Sequence, residues 1–352
     1  MARLQIGEKV ITPDSDAYVI AEIGHNHGGS VQTAIKMVEA AKACGCDAVK
    51  FQKRTNTRIY TKAFLKTPYN SEHAYGPTYG SHRDALEFGM VEYQELKAVC
   101  RALEIGFIAT AFDERSADLL NRIGVDAIKI ASGDLVNIPL LEEVAKYGRP
   151  VIVSTGGGAW ADIHLADHFL DKTDAAFLHC TALYPTRPED VNLKAIEEMS
   201  FTMPHRIIGY SSHFNGPQAA ADSYYFGARI IEQHFTLDHT MKGSDHAMSL
   251  EPQGMKMLVR DLRRAREMIG TGAKRRDERE QKALEKMEKI LWPARTLEKG
   301  HRLAQSDILS LSPSNPDGLA PGALHHLIGK NLVNDVSTTA PFSWDDIGEG
   351  NA

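Results

Sequence analysis

Four cysteines in 352 residues, Cys44, Cys46, Cys100 and Cys180, are too few and too irregularly spaced for a disulfide scaffold or a zinc site. Cys44 and Cys46 fall inside a helical pattern, so all four read as reduced structural thiols. No apolar run approaches the roughly 20 residues of a membrane span, and the N-terminus lacks the apolar core of a signal peptide. A cytoplasmic protein with no membrane partner is expected. Positive charge is not in excess: 40 Lys and Arg stand against 46 Asp and Glu, for a net charge of -6 and a pI near 6.2. That balance argues against nucleic acid or another polyanion as partner, while leaving room for local patches that bind small phosphates. The Gly156-Gly157-Gly158 run lacks the spacing of a dinucleotide-binding loop.

What is present is an ordinary globular composition, 43% hydrophobic and 24% charged, with eight short apolar runs that each end in polar residues. They begin at Tyr18, Asp47, Gly106, Asp126, Pro150, Ala175, Arg206 and Ala228. Each is β-branched and apolar over a few residues, as a strand buried on both faces should be. Helical spacing of apolar residues links most of them, for example over Val31 to Cys44, Ala117 to Ile123, Leu140 to Tyr147 and Gln218 to Phe226. Eight such units predict an α/β fold, a (β/α)8 TIM barrel with its chemistry at the C-terminal ends of the strands.

The length exceeds one barrel, so a small extra domain is expected. Residues 1–16 read as a hairpin lid turning at Gly7-Glu8 and closing the barrel bottom. The barrel follows over 17–270, then a charged linker over 271–288, then a small Gly- and Pro-punctuated domain over 289–352. That last unit is short for a core of its own and is expected to lean on the barrel or on a partner subunit. Between the second and third strands, an excursion from Arg54 to Arg101 rich in Tyr, His, Pro and Gly is expected on the upper rim, where long loops are usually functional.

Several strand ends carry groups able to do chemistry. His213 and His234 close the seventh and eighth strands, one βα step apart. Neighbouring parallel strands lie about 4.8 Å apart, so both imidazoles can reach one divalent ion that keeps open positions for substrate. Lys50 and Lys129 end the second and fourth strands, where burial requires an anion or desolvation for Schiff-base work. With the hydroxyls of Thr110, Ser132, Ser154 and Ser211 they form a cradle suited to phosphate and carboxylate. Glu22, Asp134 and Asp245 are carboxylates at the same mouth, and spacing alone does not separate metal, proton-transfer and sugar-binding roles. Gln52 and Tyr184 complete the set, whereas His25-Asn26-His27 resembles nothing specific by itself.

Taken together and in order, AEIGHNHGG at 21–29, DAVKFQ at 47–52, KIASGD at 129–134, VIVSTGG at 151–157, LHCTALYPTRPEDVNL at 178–193, GYSSH at 209–213, IIEQHFT at 230–236, Asp245 and MSLEP resemble the sialic acid synthase (N-acetylneuraminate synthase) family. The C-terminal stretch, with LEKGHRLAQSDI and LIGKNL, is similar to that family's antifreeze-like (SAF, β-clip) domain. The resemblance implies condensation of phosphoenolpyruvate with an open-chain sugar aldehyde, giving a nine-carbon 2-keto acid and phosphate. It implies that Lys50, Thr110, Lys129, Ser132, Ser154 and Ser211 hold phosphoenolpyruvate. His213 and His234 would bind Mn2+, with Mg2+ or Co2+ as alternatives. Asp134 would serve as base candidate, and Glu22, Gln52, Tyr184 and Asp245 would face the sugar. A homodimer whose small domain covers the partner's barrel mouth is implied as well.

Three positions depart from the family pattern. Ala182 replaces the usual Asn after Cys-Thr, Ser212 replaces the Asp before the first metal histidine, and the small domain reads Ser312-Pro313-Ser314-Asn315-Pro316-Asp317-Gly318 with no arginine. The acceptor therefore need not be N-acetylmannosamine. A Schiff-base aldolase or lyase on the same barrel, or a sugar-binding homologue without activity, are the alternative readings.

Overall fold

Successive side chains of a strand point to opposite faces, and in this chain the two faces carry different chemistry. The computed structural model describes residues 2–348; Met1 of the hairpin segment and 349–352 of the small domain lie outside the described residues. Eight parallel strands close a barrel: β3 Tyr18–Gly24, β4 Ala48–Lys53, β5 Gly106–Ala111, β6 Ala127–Ile130, β7 Val151–Ser154, β8 Ala175–Cys180, β9 Ile207–Ser212 and β10 Ile230–His234, with β10 pairing β3. Outward residues such as Val19, Ala21, Val49, Phe51, Ile128 and Ile231 pack against the surrounding helices in the main core. The helix Val31–Ala43 shows why those helices form: Ser30 caps it by accepting the Thr33 amide at 3.2 Å, and Ala34, Met37, Val38 and Ala41 make one buried stripe.

Inward residues sort by height. The lower layer is apolar, with Ile20, Ala48, Ile108, Ala127, Ile152, Ala176, Leu178 and Ile230 in one cluster. A two-stranded hairpin, β1 Leu4–Ile6 and β2 Lys9–Ile11, adds Leu4, Ile6 and Ile11 to that cluster and so plugs the bottom of the barrel. Each of these side chains contributes about 1.5–3 kcal/mol by leaving water. At Gly209 the wall has no spare room: an added Cβ would lie 2.3 Å from the Ile230 carbonyl oxygen and 2.4 Å from Leu178 Cδ2. Gly209→Ala is expected to destabilise the barrel by about 1–3 kcal/mol. Urea unfolding measures it, and an unchanged midpoint would show that the strand pair has slack.

Two expectations need correction. The segment Gln218 to Phe226 is helical only over Gln218–Asp222, where the Ser223 hydroxyl turns back onto the Ala220 carbonyl at 2.7 Å and competes with the helix. The rim excursion is also shorter than Arg54 to Arg101, because Met90–Ala102 is the barrel's own helix after β4. The remainder has its own aromatic core, in which Tyr79 packs on Phe64 at 4.7 Å and on Tyr60 at 5.1 Å between ring centres.

The chain divides into two units between Gly270 and Thr271. In the second, the helix Gln281–Met287 buries no side chain, and β11 Ile290–Pro293 pairs antiparallel with β12 Ile308–Leu311. Leu291, Leu297, Leu303, Leu327, Leu332 and Phe342 form a core of its own. Buried Asp307 ties its turns together, accepting from His301 Nε2 at 2.8 Å, Arg295 Nη2 at 2.9 Å and the Ala304 amide at 3.0 Å. Among the described residues no helix is long and apolar enough to cross a membrane.

Candidate active site

Above the apolar floor, the next inward residues on every strand are polar or reactive. Register places Glu22 beside Lys50 and beside His234, Gln52 beside Thr110, Thr110 beside Lys129, and Ser211 beside Glu232. These groups line a cavity of about 410 Å³ at the C-terminal end of the barrel. Of the thirteen residues singled out in the sequence, twelve line it; the exception is Asp134. The short 3-10 turn Ser132–Asp134 carries that carboxylate away from the mouth, where Oδ1 accepts from Asn137 Nδ2 at 2.9 Å.

The cations are held by their neighbours. Lys50 Nζ lies 2.8 Å from Glu22 Oε2 and 3.6 Å from Glu232 Oε1, and donates to Thr110 Oγ1 at 2.8 Å. Burial alone would favour the neutral amine, but the two carboxylates outweigh it and hold Lys50 above the usual lysine range. Lys129 donates to Ser154 Oγ at 2.5 Å and to the Ile130 carbonyl at 2.8 Å, without a carboxylate in ion-pair distance among the described residues. Its burial pulls it down to about 8. Ser132 Oγ accepts the Gly156 amide at 3.0 Å, which keeps its own proton free for the cavity.

Sequence reasoning missed Glu232, Cys180, His25, Arg54 and Arg83, all of which line the cavity. Glu232 was within reach of that reasoning: it stands two residues before His234 on β10 and so shares its face. It accepts from Ser211 Oγ at 3.0 Å, and its Oε2 has no hydrogen-bond partner among the described residues. Burial pushes its carboxyl up, yet Lys50 and then Lys129 hold it below the usual carboxylate range. Cys180 is a buried thiol pushed up to about 11 by burial, too high for a nucleophile at neutral pH.

The two histidines meet where β9 and β10 end. Their ring centres are 5.4 Å apart, and Tyr184 packs over His213 at 3.9 Å. Nδ1 of His213 donates to the Thr181 carbonyl at 2.8 Å, so the lone pair is on Nε2. Burial and the adjacent His234 pull His213 down to about 4, which leaves it neutral at physiological pH. Nδ1 of His234 is buried with no partner among the described residues. A locked tautomer on one ring and an orphaned nitrogen on the other fit a divalent ion. Ser212 faces away, its hydroxyl accepting the Phe214 amide at 3.3 Å, while Ala182 lines the cavity.

Comparison with known proteins gives the same picture over nearly the whole chain. Residues 37–274 match the NeuB family. The chain is 37% identical to the N-acetylneuraminate-9-phosphate synthase of Drosophila melanogaster, across 94% of this chain and 95% of that one. It is 33% identical to the N,N'-diacetyllegionaminic acid synthase of Legionella pneumophila, across 94% of each. A solved structure of N-acetylneuraminic acid synthetase from Leptospira borgpetersenii serovar Hardjo-bovis superposes with a TM-score of 0.69 at 33% identity, covering 80% of this chain and 95% of that one. With most of the barrel matched and relatives of this identity matched end to end, the chain belongs to the NeuB family of sialic acid synthases.

Proposed function

We propose that this protein is a nonulosonate synthase, condensing phosphoenolpyruvate with the aldehyde of an open-chain N-acylhexosamine or related hexose to give a nine-carbon 2-keto sugar acid and phosphate. The observation that carries the reading is the pairing of two half-sites on one inward face: Lys50 and Lys129 with their hydroxyls, and His213 with His234. The relatives named as N-acetylneuraminate-9-phosphate and legionaminic acid synthases support it. A Schiff-base mechanism is not favoured: Glu22 and Glu232 keep Lys50 protonated, and the relatives named above are synthases.

Lys50 and Lys129 hold the phosphate and carboxylate of phosphoenolpyruvate, with Thr110, Ser132, Ser154 and Ser211 donating hydrogen bonds. Glu22, Gln52, Tyr184 and Asp245 orient the open-chain sugar. Mn2+, with Mg2+ or Co2+ as alternatives, would be held by His213 and His234 and would polarise the acceptor's aldehyde oxygen. C3 of phosphoenolpyruvate bonds to the aldehyde carbon, whose oxygen takes up a proton to become the new hydroxyl, and the cation left at C2 takes a water. That water loses one proton to give a tetrahedral C2 hydroxyl, and cleavage of the bond from C2 to the phosphate oxygen expels phosphate, which carries off the hydroxyl's proton as the ketone forms. Glu232, rather than Asp134, is the carboxylate assigned to take the proton, since it lines the cavity and its Oε2 has no hydrogen-bond partner among the described residues. The second unit would be an antifreeze-like domain covering the barrel mouth of a partner subunit in a homodimer, with light scattering expected to give twice the chain mass.

Phosphate release from phosphoenolpyruvate, Mn2+ and a panel of hexoses and hexosamines tests the reading, and release with none of them would sink it. Lys129 adds a pH signature. Its cation is present below about 8 and lost above it, so kcat/KM for phosphoenolpyruvate is expected to fall with an apparent pKa near that value. A profile flat to pH 9.5 would show that Lys129 does not bind the anion through its charge.

A further inference from the structure

Asp245 reaches the cavity from a loop that lies outside the barrel's regular elements. Between the end of β10 at His234 and the helix Pro252–Ile269, the chain makes one short 3-10 turn, His246–Met248. Ser244 and Asp245 of this loop both line the mouth. No cation stands in ion-pair distance of the Asp245 carboxylate among the described residues; Oδ1 accepts from the adjacent Ser244 hydroxyl at 2.7 Å. The direction of that carboxylate is therefore set by where the loop's backbone runs.

The loop is stiffened from within. The Ser249 hydroxyl donates to the Asp245 carbonyl at 2.6 Å and accepts from Asn26 Nδ2 at 2.9 Å. His246 is buried inside the bend, its Nδ1 2.7 Å from Thr236 Oγ1. Gly243 closes over that ring, where an added Cβ would lie 2.8 Å from His246 Cδ2. A hoop packed around a buried ring transmits displacement, so a shift at Lys242 is carried to Asp245. The outer edge of the hoop is tied to a different part of the chain. Tyr75, in the rim excursion, donates its hydroxyl proton to the Lys242 carbonyl at 2.5 Å, and Lys242 Nζ lies 4.9 Å from the centre of the Tyr75 ring. The companion contact, from the Gly243 amide to His73 Nδ1, is long at 3.4 Å. Tyr75 is itself fixed, because its amide donates to His82 Nδ1 at 3.1 Å and the His82 ring stacks on Tyr69 at 4.5 Å. Gly28, just after β3, makes the slot for the phenol: an added Cβ there would lie 3.0 Å from the Tyr75 hydroxyl oxygen.

We propose that Tyr75 is a positioning residue for the acceptor sugar, its hydroxyl stapling the loop after β10 to the rim excursion and so setting where Asp245 meets the sugar. The inference rests on the synthase reading above. The groups assigned to phosphoenolpyruvate and to the metal stand on or directly beside barrel strands and need no such staple. The acceptor's wall is different, because a contact between two loops completes it. Acceptor recognition should therefore respond to the Tyr75 hydroxyl, and phosphoenolpyruvate binding should not.

Tyr75→Phe tests this in the full-length enzyme with phosphoenolpyruvate, Mn2+ and the best acceptor of the panel above. The substitution keeps the ring, its slot and its contact with Lys242 Nζ, and removes one hydrogen bond. A bond of this kind is worth about 3–10-fold, so KM for the acceptor should rise by that factor while KM for phosphoenolpyruvate and the urea midpoint stay unchanged. Acting through Asp245, the loss should vanish in an Asp245→Asn background, read by kcat/KM or, where turnover is too slow, by calorimetric titration of the acceptor. Backbone amides over 242–246 should exchange hydrogen faster in Tyr75→Phe than in the wild type. An unchanged acceptor KM, an equal rise in KM for both substrates, or additive effects of the two substitutions would overturn the positioning role while leaving the synthase reading intact. If the wild type turns over no sugar, the synthase reading fails and hydrogen exchange decides the staple: faster exchange over 242–246 in Tyr75→Phe supports it, and unchanged exchange overturns it.

Discussion

Lys50→Met is expected to abolish synthesis and to weaken the barrel at the same time. The ammonium is the shared counter-ion of Glu22 and Glu232, at 2.8 and 3.6 Å in the buried centre of the mouth. Removing one partner of a buried ion pair costs about 3–5 kcal/mol, because the remaining charge is left uncompensated. Removing a charged ligand for an anion that reacts costs on the order of 10²–10³ in rate as well. Lys129→Met separates the two effects. Lys129 has hydroxyl and carbonyl partners but no carboxylate in ion-pair distance among the described residues, so its loss should raise KM for phosphoenolpyruvate and lower kcat with little change in denaturant midpoint. Thermal unfolding together with steady-state kinetics checks both. Equal destabilisation by the two substitutions would contradict this division of roles, and near wild-type kcat/KM in either would remove that lysine from the cradle.

His213→Ala and His234→Ala are each expected to lower turnover about 10³-fold, since Lewis-acid polarisation of a carbonyl is worth several kcal/mol. The argument rests on the tautomer that the Thr181 carbonyl fixes on His213 and on the partnerless Nδ1 of His234. Metal content after dialysis against Mn2+ provides a readout independent of activity: the wild-type protein should retain the ion and both variants should lose it. Full activity in the double variant after chelation would remove the pair as ligands. Because two protein imidazoles leave most of the coordination sphere open, exchange among Mn2+, Mg2+ and Co2+ is also expected.

Most of the barrel site was legible because one rule, alternation along a strand, generates it. Once β4 is a strand, Lys50 and Gln52 share a face, and the same holds for Ser211 on β9 and His234 on β10. Glu232 obeys the same rule, two residues before His234 on β10. Asp134 does not: it follows a strand, but a turn and an Asn137 contact decide where its carboxylate goes, and no periodic pattern encodes a turn's rotation. Arg83 belongs to an excursion without periodicity, placed by the packing of Tyr60, Phe64 and Tyr79. His25 takes its meaning only from arginines 29 and 58 residues away in the chain. Contacts of that range are fixed by tertiary structure and leave no local trace.

The hairpin under the barrel has a consequence for traffic. With Leu4, Ile6 and Ile11 sealing the lower end, the barrel is a blind well with a single doorway. Under the proposed chemistry two reactants and two products must share that doorway, so entry and release are both governed at the mouth, and inhibition by inorganic phosphate competing with phosphoenolpyruvate is the expected signature.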